Sequence, residues 1–221
     1  MTQKLSGPML PPKSGRMPKQ LVVLLHGYGS DGNDLIALGA HWQQALPEAL
    51  FVSPNAPDPC AENPFGYQWF PLDLDRTISR VAGAPLAREV IADFLIDLWA
   101  QTGLSARDTV LVGFSQGAMM ALHVGLLLDQ APLGIVSFSG ALIPPDGFES
   151  GLGTKPPVCL IHGDLDQVVD PRLSQEAAIA LQTHGYDVSY HVSPGIAHGI
   201  SPDGLNFATS FMLAQLAAAN D

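Results

Sequence analysis

The sequence predicts an α/β fold in which a mostly parallel central sheet is covered by helices on both faces. Two observations carry this. Short apolar runs bounded by turn residues alternate with longer segments of helical period, the pattern of buried strands joined by crossover helices. The 221 residues are 47% hydrophobic, enough for one substantial core, and no linker or internal repeat divides them.

Residues 1–20 hold Pro8, Pro11, Pro12 and Pro18 and are expected to form a tail or irregular lead-in, with a single domain over 21–221. Strands are expected at Leu21 to Leu25, Leu50 to Ser53, Thr109 to Gly113, Gly134 to Phe138, Val158 to Ile161 and Val188 to Val192. Residues 54–76, rich in Pro and aromatics, should be the longest loop. The helix after it has Leu86, Val90, Ile91, Phe94, Leu95 and Leu98 on one stripe, with Arg88, Glu89, Asp93 and Asp97 off it. That stripe should pack on the sheet. Gln116 to Leu128 is apolar almost all round, interrupted by His123, and should be a buried central helix. Asp170 and Pro171 read as the cap and first position of another helix. Ser201 and Pro202 read the same way for a last helix running through Phe207, Phe211 and Leu216.

A formal charge of −11, with only ten Lys and Arg, sets the chain against phosphate backbones and anionic lipid surfaces. No nucleic-acid partner and no stable membrane insertion are expected. No signal-peptide run opens the chain, and no stretch reaches the ~18 apolar residues of a membrane span, so a cytoplasmic protein is the expectation. Cys60 in a Pro-rich loop and Cys159 in an apolar strand supply neither a disulfide framework nor zinc-site spacing. No metal or cofactor is expected, and a homodimer is left open.

Chemistry enters at Gly113-Phe114-Ser115-Gln116-Gly117, a match to G-x-S-x-G. The pattern sets a serine on a tight strand-to-helix turn, its hydroxyl above the sheet, with glycines where side chains would collide with neighbouring backbone. Alone the match is weak. Here it follows the strand-like Val110-Leu111-Val112 and opens the apolar helix, which is the context the α/β-hydrolase mechanism requires.

In that fold the order is nucleophile, acid, base, so the base lies in the loop after the last strand. Of seven histidines this leaves His198, in the glycine-flanked segment Pro194-Gly195-Ile196-Ala197-His198-Gly199. The acid should come from His162-Gly163-Asp164-Leu165-Asp166, beyond a strand's carboxyl end. Asp164, beside Gly163, reads as a turn residue bonding its own backbone, which favours Asp166 to orient the imidazole. Spacing alone does not separate the two.

Acyl transfer also needs two backbone N–H groups aimed at the oxyanion. Gln116 supplies one, and the turn His26-Gly27-Tyr28-Gly29 the other. That turn also contains Gly27-x-Gly29-x-x-Gly32, a dinucleotide-binding fingerprint at face value. The reading of a nucleotide-binding oxidoreductase lacks its ribose-binding acid, because the next strand ends Ser53-Pro54-Asn55. No strong helix pattern is expected at Gly32 either. A catalytically silent binding protein on the same fold is the other alternative.

These stretches, with Leu24-Leu25, Ser30 to Leu35, Trp69-Phe70, Ala118, Val168 and Val169, resemble the phospholipase/carboxylesterase family, whose best-known members are the acyl-protein thioesterases. The resemblance spans residues 21–217. It implies a Ser115–Asp166–His198 triad and an oxyanion hole of Tyr28 and Gln116 N–H. It also implies a small-molecule ester substrate with a short to medium acyl chain, lysophospholipids and thioesters being handled by some members. Tyr28 replaces the leucine of the eukaryotic thioesterases, so the chain is more similar to bacterial members. Between Gly140 and Val158 there is no room for a cap domain, so loops should roof the site. Trp69, Phe70 and Leu74 are the expected acyl-chain wall.

Overall fold

A computed structural model describes residues 4–219. In chain order the elements are β1 (Met9–Leu10), β2 (Gln20–Leu25), α1 (Gly32–Trp42), β3 (Ala49–Val52), β4 (Asp58–Pro59), β5 (Tyr67–Gln68) and α2 (Arg76–Thr102). They continue with β6 (Thr109–Phe114), α3 (Gln116–Gly125), β7 (Gly134–Phe138), β8 (Val158–Gly163), α4 (Arg172–Thr183), β9 (Val188–Ser193) and α5 (Pro202–Ala219).

Seven strands form one sheet in the order β1-β3-β2-β6-β7-β8-β9. Every pair is parallel except β1 with β3, where Met9 faces Val52 and Leu10 faces Phe51. The lead-in expected to be irregular therefore contributes an edge strand, and its first three residues lie outside the described ones. Proline suits this position, since an edge strand leaves one row of N–H groups unpaired. The loop over 54–76 contains a short hairpin of its own, β4 with β5.

Apolar residues fill both faces of the sheet, as parallel strands require. On one side Ile91, Leu95 and Leu98 of α2, Met119 to Leu122 of α3, and Ala177, Ala178 and Leu181 of α4 cover Val23, Leu111 and Leu160. On the other, Leu35 and Trp42 of α1 and Phe211 and Met212 of α5 cover Val22, Val112 and Cys159. α3 is buried along its whole length, His123 included.

The α2 stripe is shifted from the expected one. Leu86 is 70% exposed, while Ala84 and Ala87 face inward. Small residues point in because the helix approaches closely: a Cβ at Gly83 would lie 2.4 Å from Phe70 Cβ. Phe70 thus packs against the early turns of α2.

Candidate active site

Ser115 sits where β6 hands over to α3, with φ 54° and ψ −116°. Non-glycine residues avoid that region, and the surroundings must hold it. Ser115 N–H donates to Phe138 O at 2.9 Å, fixing the turn to β7. The turn has no space for side chains on either flank: a Cβ at Gly117 would fall 1.9 Å from Leu25 O, and one at Gly113 2.2 Å from Gly117 O. The Ser115 side chain makes no capping bond to α3, and it lines a cavity of about 710 Å³.

Beyond β8, Asp166 uses its two oxygens differently. Oδ1 accepts from Val168 N–H at 2.8 Å and Val169 N–H at 3.0 Å. Oδ2 lies 2.7 Å from His198 Nδ1 and 3.1 Å from His162 Nε2. Burial of the carboxyl pushes its pKa up, but the bonds from His198, Val169 and Val168 outweigh this and hold it below the ordinary value. The self-bonding turn expected of Asp164 therefore belongs to Asp166. Asp164 Oδ1 instead accepts from Gly195 N–H at 2.6 Å, tying the loop that carries His198 to the end of β8. The parallel pairing of β8 with β9 brings these two loops side by side, and Leu165 N–H donates to Ile196 O as well.

His198 packs its ring on Phe114 with centroids 4.8 Å apart and lines the same cavity as Ser115. His162, which sequence reasoning passed over, is fully buried. Its Nε2 lies 2.9 Å from Val169 O and its Nδ1 2.6 Å from Ser174 Oγ. Burial drives its pKa down against the bond to Val169 O and the Asp166 charge. The neutral ring keeps its proton on Nε2, where both neighbours are acceptors.

The turn after β2 and the start of α3 border the same cavity. Among the described residues, the backbone bonds closing these turns use Gly29, Ser30, Ser115, Ala118 and Met119 N–H, and not those of Tyr28 or Gln116. Both Tyr28 and Gln116 line the cavity. The Gln116 side chain braces the arrangement: Oε1 accepts from Trp69 N–H at 2.9 Å and Nε2 donates to Phe70 O at 2.8 Å. Trp69 Nε1–H in turn donates to His26 O at 2.9 Å. His26 is buried and accepts Ala56 N–H on Nε2, which leaves Nδ1–H for Gly27 O.

Trp69 and Phe70 are each 2% exposed and do not line the cavity. Their aromatic area is spent on holding the turns and seating α2. Leu74, fully exposed, does line it, together with Leu72, Arg76 and Arg80. The two arginines were not singled out in the sequence.

A helix does open at Gly32, contrary to expectation, yet its N-terminus is taken. Asp31 Oδ1 caps Asn33 and Asp34 N–H at 2.9 and 3.1 Å, and Gly32 N–H donates to Asn55 Oδ1 at 2.8 Å. The donors that a pyrophosphate would need are already satisfied. Among the described residues no group of three or more His, Cys, Asp or Glu could hold a metal ion.

The sequence profile of the phospholipase/carboxylesterase family matches residues 12–216. The chain belongs to the phospholipase/carboxylesterase family. The solved structure of esterase PE8 is similar at 56% identity and a TM-score of 0.92, covering 96% of this chain and 99% of that one. Acyl-protein thioesterase 1 of Gibberella zeae is 29% identical over 90% of this chain and 92% of its own length. Esterase YpfH of Escherichia coli is 29% identical over 86% and 80%. This member of the phospholipase/carboxylesterase family has the α/β-hydrolase architecture and is a carboxylic ester hydrolase. No helix among the described residues is long and apolar enough to cross a membrane.

Proposed function

We propose that the chain hydrolyses small carboxylic esters of short to medium acyl chains through Ser115 as nucleophile, His198 as base and Asp166 as orienting acid. The observation that carries this is the 2.7 Å contact of His198 Nδ1 with Asp166 Oδ2, made at the wall of the cavity that Ser115 also lines. With Nδ1–H held by the carboxylate, Nε2 is left as the basic nitrogen. It takes the Ser115 proton as Oγ attacks the ester carbonyl, and returns that proton to the leaving alcohol as the acyl-enzyme forms. Water, deprotonated by the same imidazole, then releases the acid and restores the serine. Tyr28 and Gln116 N–H stabilise the oxyanion in both steps, each by about 3 kcal/mol.

Among the described residues the His198 ring bonds Asp166 and not Ser115, and the mechanism requires a bond from Ser115 to His198 to form when an ester is seated. The open, loop-walled cavity suits varied acyl groups, thioesters included. Two free, buried cysteines fit a reducing, cytoplasmic setting.

The test is turnover of 4-nitrophenyl esters of increasing chain length by wild type and Ser115→Ala. A loss of ~10⁴-fold or more in kcat is expected for the variant. Near wild-type turnover would remove Ser115 from the mechanism.

A further inference from the structure

Arg76 and Arg80 stand one turn apart at the start of α2, so their side chains leave the same helix face, and both line the catalytic cavity. The chain holds 21 carboxylate side chains against ten Lys and Arg, so a partner for any arginine is easily supplied. Among the described residues the Lys and Arg ion pairs are Lys4–Asp97, Arg16–Glu48, Lys19–Glu48 and Arg172–Asp170. Arg76 and Arg80 are absent from that set, as are Lys13, Arg88, Arg107 and Lys155, but of these six only Arg76 and Arg80 line the catalytic cavity. Arg76 Nη1 donates to Val168 O at 3.2 Å, and the buried Arg80 Nε has no hydrogen-bond partner among the described residues.

The acids on the cavity wall do not fill this role. Asp34 Oδ2 accepts from Ser30 Oγ at 2.8 Å, and burial first, then Cys60, and only then the charges of Glu62 and Asp73 push the Tyr28 phenol up to about 12. At Arg80, burial disfavours the cation and the neighbouring Arg76 adds repulsion, with no acid opposing them. A half-buried guanidinium with an unsatisfied N–H is costly unless an anion completes it.

We propose that Arg76 and Arg80 form a subsite for a carboxylate carried by the ester substrate, so that preferred substrates are half-esters of dicarboxylic acids. The proposal rests on the esterase reading and names the substrate class for that same cavity. The planar guanidinium fork matches a carboxylate bidentately.

The experiment compares 4-nitrophenyl half-esters of dicarboxylic acids, spanning two to six methylenes, with uncharged 4-nitrophenyl esters of equal chain length. The quantity read is the ratio of kcat/KM for the anionic to the neutral ester. It is taken within one protein sample, so any loss of folded enzyme cancels. In wild type at low salt the ratio should reach about tenfold or more at one spacer length. It should fall toward unity in Arg76→Gln and Arg80→Gln, stay intermediate in Arg80→Lys, and persist in Arg88→Gln. No preference at any length, or a preference that survives Arg76→Gln and Arg80→Gln combined, overturns the proposal. An acyl chain ending in phosphate that outcompetes the carboxylate, and loses that advantage in Arg80→Gln, overturns the carboxylate assignment. Turnover of no ester at all would instead remove the esterase reading beneath it, which sets that failure apart from a failure of the subsite.

Discussion

His162 Nε2 lies 3.1 Å from Asp166 Oδ2, the same oxygen that His198 Nδ1 approaches to 2.7 Å. Two imidazoles converge on one carboxylate oxygen, one fully buried and one at the cavity wall. The buried ring, anchored by Val169 O and Ser174 Oγ, holds the carboxylate from behind while Val168 and Val169 N–H hold its other oxygen. His162→Ala removes that support. It should lower kcat by about tenfold and stability by about 1–3 kcal/mol, because the partner groups are left unpaired in the interior. Esterase kinetics and a denaturant midpoint check both effects, with partial recovery in His162→Gln, which restores a donor. A kcat equal to wild type would reduce His162 to a packing role.

Acid should weaken the fold well above the carboxylate range. His26, His123 and His162 are all buried, and desolvation pushes each pKa below its ordinary 6.5, against opposing bonds to Gly27, Ile143 and Val169 carbonyls. Such a histidine takes up a proton on unfolding that the folded state refuses. Stability is therefore greatest above about pH 6.5 and falls with decreasing pH, by up to about 1.4 kcal/mol per pH unit for each ring. Asp166, held below its ordinary 3.8, adds stability that is lost only in stronger acid. Thermal melts between pH 7.5 and 5 should show a steady fall in Tm. His123→Gln, which keeps a donor for Ile143 O without the titration, should make the fall shallower, with His26 and His162 still contributing. A Tm independent of pH over that range would contradict this.

The Gln116 side chain should matter as well as its N–H. Its two amide bonds, to Trp69 N–H and Phe70 O, lock the 67–70 segment against the serine turn, and Trp69 locks that segment to His26 O. Gln116→Ala keeps the backbone donor but frees the brace. The expected result is a kcat lowered by about 10- to 100-fold with KM little changed, since an oxyanion donor misplaced in the transition state costs rate and not binding. An increase in KM with kcat preserved would place Gln116 in substrate binding instead.

Much of this was legible in the sequence because it depends on local pattern and chain order. Five of the six expected runs became buried strands because two-face burial demands apolar side chains, the sixth, β9, is the half-exposed edge strand, and Ser115 is marked by glycines that sterics impose. What was not legible depends on which distant element arrives beside a residue. Spacing alone does not separate Asp164 from Asp166, and the partner of Asp164 shows only once the pairing of β8 with β9 brings Gly195 beside it. Trp69 and Phe70 are aromatic residues in a loop, and only packing against Gly83 and His26 shows them as braces rather than a wall. Leu86 follows helical period yet faces water, because α2 presses alanines to the core. Arg76 and Arg80 become notable only because, among the basic residues without an ion pair, they are the two that line the cavity.

The central claim is that one serine hydroxyl is activated by an imidazole from the far end of the chain. Fluorophosphonate labelling followed by peptide mass mapping tests it most directly. A single adduct on the peptide bearing Ser115, absent from both Ser115→Ala and His198→Ala, is the predicted result. Labelling at another residue, or full reactivity in His198→Ala, would contradict the account.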